Sequence, residues 1–201
     1  GPYRLSSAQI VEGTRIIDDG LFPPHGQYYM ALLGSSYSST NPDVANYRTG
    51  QDLLSDRYTN STDATKNAVG WVRDGLDPSE INDMIPDEDP LVMMNPEFVS
   101  LMRRAVAENI THPCDPGSPL NRKGLSDKLC EALVDNDLTP ILETASYPVS
   151  LCHSPDDNVV PIRNLPNLDA NPERLKVRLA GGDHGEAGVF CFLDHNQMLT
   201  G

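Results

Sequence analysis

The spacing of apolar residues divides the chain into a helical stretch and a shorter stretch that alternates strand and helix. Up to about residue 146, apolar positions recur at helical intervals. The pattern predicts a helix over Ser6–Ile17, interrupted by Gly13. Gln27–Leu33 (QYYMALL) is strongly apolar, but seven residues are too few for periodicity to separate helix from strand. A helix is expected over Gly50–Tyr58, carrying Leu53 and Leu54. A short one is expected over Pro78–Ile85, with Asp77 as N-cap and Pro78 at the first position. The clearest helix is Pro96–Glu108, opened by Asn95, with Phe98, Leu101, Met102, Ala105 and Val106 on one stripe. Gly124–Asn136 repeats that pattern with Leu125, Leu129, Ala132 and Leu133. No alternating strand is expected in this stretch.

From Tyr147 the rhythm changes. Tyr147–His153 is a short apolar run suited to a buried parallel strand. Arg163–Ala170 suits a short helix. Leu175–Leu179 alternates as a strand does and ends at Gly181-Gly182. Glu186–Leu199 then reads as a helix carrying Val189, Phe190, Phe192 and Leu193. Strand, helix, strand, helix implies a parallel sheet with right-handed crossovers, so the fold class is α/β. The expected organisation is a helical region over 1–146 followed by an α/β core segment over 147–201.

Composition narrows the possible functions. Fifteen Lys and Arg stand against 29 Asp and Glu in 201 residues, a formal net charge of −14. A chain this acidic repels a phosphate backbone and an anionic membrane surface, which argues against nucleic acid as partner. No run of 18 apolar residues is present, so no membrane span is expected. The first residues lack the charged, apolar and small-residue order of a signal peptide. Cys114, Cys130, Cys152 and Cys191 form no C-x-x-C pair and no zinc-ligand spacing. Two disulfides or four buried thiols both suit that count. The sequons at Asn60 and Asn109 do not fix the compartment.

The candidate chemistry lies just past the two strands. His153-Ser154-Pro155-Asp156-Asp157-Asn158-Val159-Val160-Pro161 follows the first, and Gly181-Gly182-Asp183-His184-Gly185 follows the second. Catalytic groups in open α/β sheets gather at the carboxyl ends of strands. A carboxylate on one loop can meet an imidazole on the next and orient it, while the second ring nitrogen serves a nucleophile. Asp157 and His184 are 27 positions apart, which suits one helix and one strand between them.

These motifs resemble the C-terminal end of α/β-hydrolases of the esterase/lipase type. In that family a strand is followed by two or three small residues, an Asp, two residues and a Val-Pro, and a later strand ends in Gly-x-x-His-Gly. Asp157 with Val160-Pro161 matches the acid, and His184 within Gly182-Asp183-His184-Gly185 matches the base. Ser154 stands where glycine is common. Gly1-Pro2-Tyr3-Arg4-Leu5-Ser6, Asn95-Pro96-Glu97-Phe98 and Asn136-Asp137-Leu138-Thr139-Pro140 are similar to segments around the cap of a subset of these enzymes. The resemblance implies a helical cap after the sixth strand, then the last two strands. It also implies hydrolysis of a small-molecule or lipid ester through an acyl-serine, without metal or cofactor. A hydrolase-like binding module without activity and a serine peptidase of the prolyl oligopeptidase kind are the alternatives.

The resemblance also calls for a nucleophile on a strand–Gly-x-Ser-x-Gly–helix elbow. Gly34-Ser35-Ser36-Tyr37-Ser38 is the nearest match, with Ser36 in the serine position. Only 33 residues precede Gly34, too few for the usual strands before the elbow, and Pro42 would soon interrupt the helix that follows. A lid helix ending in a Ser-rich turn is the favoured reading there, with the nucleophile and oxyanion amides outside these 201 residues and the chain alone inactive. His153 reads as structural, Asp183 as solvated or local support rather than catalytic, and His25, His112 and His195 as surface residues. Asp87-Glu88-Asp89 reads as a solvated charge run. Asp135-Asn136-Asp137 lacks the glycine and glutamate of a calcium loop. Tyr28–Leu33 serves either core packing or an acyl pocket.

Overall fold

The structure is a computed structural model and describes residues 6–22, 25–40, 53–59, 62–85, 89–120, 125–135, 137–157, 159–160, 165 and 171–191. The chain forms two compact units, Gly1–Asp137 and Leu138–Gly201. The division falls some nine residues before the change of rhythm at Tyr147, so the short helix over Thr139–Glu143 goes with the second unit.

The first unit is helical among its described residues. Helix α1, Ser7–Asp18, starts where Ser6 and Gln9 form a reciprocal capping box that satisfies two orphan N–H groups. It runs through Gly13 without interruption, because Ile10, Val11, Thr14 and Ile17 bury one face. The apolar segment left undecided between helix and strand is α2, Gly26–Thr40. Helices α3 (Ala68–Arg73) and α4 (Pro78–Asp83) follow, α4 opened by an Asp77–Glu80 capping box. Helix α5, Pro96–Ala107, carries the expected stripe, with Asn95 accepting a hydrogen bond from the Glu97 N–H. Helix α6 is Leu125–Asp135 and α7 is Thr139–Glu143.

Two apolar clusters hold the first unit. One joins Ile10, Val11 and Ile17 of α1 to Phe98, Leu101 and Met102 of α5 and to Leu129 and Leu133 of α6. A Cys114–Cys130 disulfide, fully buried, ties the segment after α5 to α6 in that cluster. The other joins Ala31 of α2, Trp71 of α3 and Ile81 of α4 to Leu54, Tyr58 and Met93.

The expected helix over Gly50–Tyr58 does not form as such. Residues 50–52 lie outside those described, Leu54 makes an antiparallel bridge to Met94, and only Asp56–Tyr58 makes one 3₁₀ turn. The Leu53–Leu54 pair is placed by hydrogen bonds to the other strand-like segment, Ser55 N–H to the Met93 carbonyl (2.8 Å) and Asn95 N–H to that of Leu53 (2.7 Å). Tertiary pairing overrides local propensity here.

The second unit carries strands β1 (Val149–His153) and β2 (Leu175–Leu179) where the apolar run and the alternation suggest them, but β1 is only partly covered, with no residue of Val149–His153 fully buried. They pair in parallel, from Val149 opposite Leu175 to His153 opposite Leu179. The expected Arg163–Ala170 helix lies outside the described residues save Leu165. A final helix is described over 184–191, starting two residues earlier than the sequence suggests. Mixed helix with a parallel two-stranded sheet makes the chain α/β-like. No described helix is long and apolar enough to cross a membrane.

Phe98 is 1 % exposed and sits at the junction of α1, α5 and α6. Phe98→Ala is expected to cost about 3–5 kcal/mol of unfolding free energy, through lost transfer energy and a residual cavity. Urea unfolding followed by far-UV circular dichroism measures it; a loss below about 1 kcal/mol would mean that this cluster does not carry the unit.

Candidate active site

Parallel pairing sets the site. With His153 opposite Leu179, the chain leaves both strands at the same end of the sheet, four residues before Asp157 and five before His184. The two loops therefore run side by side, and His184 Nδ1 stands 2.8 Å from Asp157 Oδ2. The carboxylate accepts, so Nδ1 carries the proton, an arrangement in which the other ring nitrogen, Nε2, can serve as an acid or base.

Asp157 is held from both sides. Its Oδ1 accepts from the backbone N–H groups of Val159 (2.9 Å) and Val160 (2.8 Å), which curls the loop around the carboxylate. Its side chain is 8 % exposed and that of His184 is 33 % exposed. Burial pushes the Asp157 carboxyl up. The Val160 N–H, the His184 ring and the Val159 N–H together outweigh burial and hold it below the ordinary carboxylate range. Asp157 is thus a carboxylate at neutral pH, suited to orient an imidazole and to stabilise its protonated form.

The Gly-Asp-His-Gly segment is a helix start. Asp183 Oδ1 accepts from the N–H groups of Gly185 (2.9 Å) and Glu186 (3.0 Å), and Glu186 Oε2 accepts from the Asp183 N–H (3.3 Å). This reciprocal arrangement is a capping box, with His184 at the first helical position. It explains why the helix begins before Glu186. Asp183 is exposed and gives local support, within the two readings that the sequence leaves open. Gly182 enters the turn at φ +88°, and a Cβ there would collide with the Glu186 side chain. A Cys152–Cys191 disulfide joins β1, one residue before its end, to the helix that carries His184. The count of four cysteines left that pairing open.

Ser36 does not take the elbow position. It lies inside α2, with helix on both sides, and no strand leads into it. The Ser-rich turn expected after a lid helix is absent too, since α2 continues to Thr40. Gly34, the first glycine of the apparent elbow, has a packing role: a Cβ there would stand 2.6 Å from Leu54 Cδ1, so glycine lets α2 approach the Leu53–Leu54 segment. Ala31 and Leu33 are buried in the helical core, and Tyr28 and Met30 pack against it.

His153 ends β1, with Nδ1 2.8 Å from the Ser154 carbonyl oxygen. Ser154 is fully buried and hydrogen-bonds to the second loop, a role that its standing as a replacement for glycine did not reveal. Among the described residues no group of three or more His, Cys, Asp or Glu side chains is placed to hold a metal ion. Residues 1–5 of the similarity to hydrolases lie outside the described residues. Comparison of the chain with known protein families, with curated proteins and with solved structures finds no match.

The lowered Asp157 carboxyl has a consequence for stability. Because it titrates lower in the folded protein than in the unfolded chain, its bonds stabilise the fold above the unfolded value of about 3.9. That contribution is lost as pH falls through the lower folded value. Urea midpoints measured from about pH 2 to 6 should fall more steeply on the acid side in the wild type than in Asp157→Asn. Identical acid limbs would contradict a hydrogen-bonded carboxylate.

Proposed function

We propose that the protein is a serine hydrolase of α/β-hydrolase type, acting on carboxylic esters of small molecules or lipids. The observation that carries this reading is the Asp157–His184 hydrogen bond at the carboxyl end of two parallel strands. A buried carboxylate fixed to one ring nitrogen of a half-exposed imidazole is the acid–base part of a catalytic triad.

In this mechanism His184 Nε2 takes the proton of a serine hydroxyl as the oxygen attacks the ester carbonyl. Asp157 stabilises the imidazolium that results. His184 then gives the proton to the leaving alcohol, which departs as the tetrahedral intermediate collapses to an acyl-serine. A water molecule, deprotonated by the same nitrogen, releases the acid and restores the serine. The helical first unit is the proposed cap. Ser36 is not the nucleophile of this proposal, because a residue within a helix lacks the exposed, strained turn that an elbow supplies. The serine and the oxyanion donors are assigned to residues other than those placed beside the dyad. The acidic charge fits an uncharged ester better than a phosphodiester.

The test uses the full-length protein encoded by its gene, with p-nitrophenyl esters of graded acyl length and a fluorophosphonate probe that labels activated serines. Turnover and labelling are expected, with kcat reduced on the order of 10³-fold or more in His184→Ala. Ser36→Ala should leave both unchanged. Absence of turnover and labelling, or activity untouched by His184→Ala, would overturn the proposal.

A further inference from the structure

The dyad depends on two loops that are far apart in sequence, and a further side chain also links them directly. Ser154, the first residue after β1, is 0 % exposed. Its hydroxyl donates to the carbonyl oxygen of Gly182 at 2.5 Å, across 28 positions of sequence. The Ser154 hydroxyl oxygen itself accepts from the Asp156 N–H at 3.1 Å. Its backbone carbonyl oxygen lies 3.3 Å from the Asp157 N–H, which donates to it. One residue therefore contacts the acid loop twice and the base loop once.

Each end of that link is held by further hydrogen bonds. Gly182 sits at φ +88° directly before Asp183, whose capping box starts the helix of His184. Fixing the Gly182 carbonyl fixes the origin of that helix. At the other end, the turn from Ser154 to Asp157 is closed by the hydrogen bonds just described. The Ala180 N–H to the His153 carbonyl (2.8 Å) is the last backbone bond between the strands, so beyond it the Ser154 hydroxyl continues the pairing with a side chain.

We infer that Ser154 is a positioning residue for the Asp157–His184 dyad: its buried hydroxyl, bonded to the Gly182 carbonyl, sets the distance between the acid loop and the base loop. This inference rests on the reading of the dyad as an acid–base pair. It does not require a particular substrate. The energetic reason is that a buried donor–acceptor pair is costly to break. Removal of the hydroxyl leaves the Gly182 carbonyl without that donor and the Asp156 N–H without that acceptor. The loops then relax toward other partners, and the imidazole loses its fixed approach to Asp157.

The test reads the tautomer of His184 by ¹⁵N NMR of the ring nitrogens in the full-length protein, at a pH where the imidazole is neutral. The signals are assigned by their loss in His184→Gln. The wild type should show the Nδ1–H form that a carboxylate partner selects. Ser154→Ala should move the ring toward a mixture of tautomers, while Ser154→Thr, which keeps the hydroxyl, should restore the Nδ1–H form. Ser154→Gly removes the same hydroxyl with the residue common at this place in the hydrolases that the chain resembles, and serves if the alanine variant does not fold. On the ester substrates, the hydroxyl-less variant should lose kcat on the order of 10- to 100-fold with KM little changed.

A purely structural role would lower the melting temperature and leave the tautomer of the folded fraction unchanged; that result overturns the inference. A wild type without the Nδ1–H form would also overturn it. The two proposals separate cleanly. A Ser154-dependent tautomer in a protein that cleaves no ester would leave the positioning role standing and remove the hydrolase reading. Ester cleavage with an unchanged tautomer in both hydroxyl-less variants would do the reverse.

Discussion

Five residue pairs of parallel β-structure determine what the second unit can do. Val149 opposite Leu175 through His153 opposite Leu179 is a short ladder, but its register puts both strand ends in line. A parallel pair sends both chains out at the same end, which an antiparallel pair cannot do. A shift of one residue would move every side chain to the other face. Two loops of nearly equal length then leave together, and Asp157 and His184 meet. The disulfide from Cys152 to Cys191 and the hydroxyl of Ser154 tie the same two segments together from other directions. By loop-closure entropy, a bridge across 39 positions contributes about 4 kcal/mol to such a unit.

The first unit answers a different constraint. Its helices are short and bound by capping boxes or caps at Ser6, Asp77 and Asn95. Isolated helices of this length are marginal in water, so the apolar clusters must hold them. The bidentate pair of Arg103 with Asp18 joins α5 to the end of α1. At its half-exposed position it adds little beside the buried Phe98 and Met102.

Much of this was legible because local chemistry and tertiary structure agree. Asp77-Pro78 and Asn95-Pro96 announce helix starts by the same hydrogen bonds that the structure forms. Leu175–Leu179 alternates as a strand does, with Leu175 buried and Lys176 and Arg178 exposed. Asp157 and His184 were legible as a spaced pair after two strands, and the structure brings them together. Elsewhere the signal was absent or misleading. A seven-residue segment could not distinguish α2 from a strand, since its deciding feature is its continuation through Ser35 and Ser36. Gly34-Ser35-Ser36 imitates an elbow, but the glycine answers to Leu54. Leu53 and Leu54 have helical propensity and are instead held by pairing with the Met93–Asn95 segment. The link from Ser154 to Gly182 crosses 28 positions and leaves no periodic trace.

Whether Asp157 and His184 act as one catalytic unit is decided by a double-mutant cycle on kcat/KM for ester hydrolysis by the full-length protein. If Asp157 works only through the imidazole, adding Asp157→Ala to His184→Ala should cost almost nothing further, although Asp157→Ala alone is severe. If the two losses multiply, the residues act independently, and the hydrogen-bonded dyad is not the catalytic device of this protein.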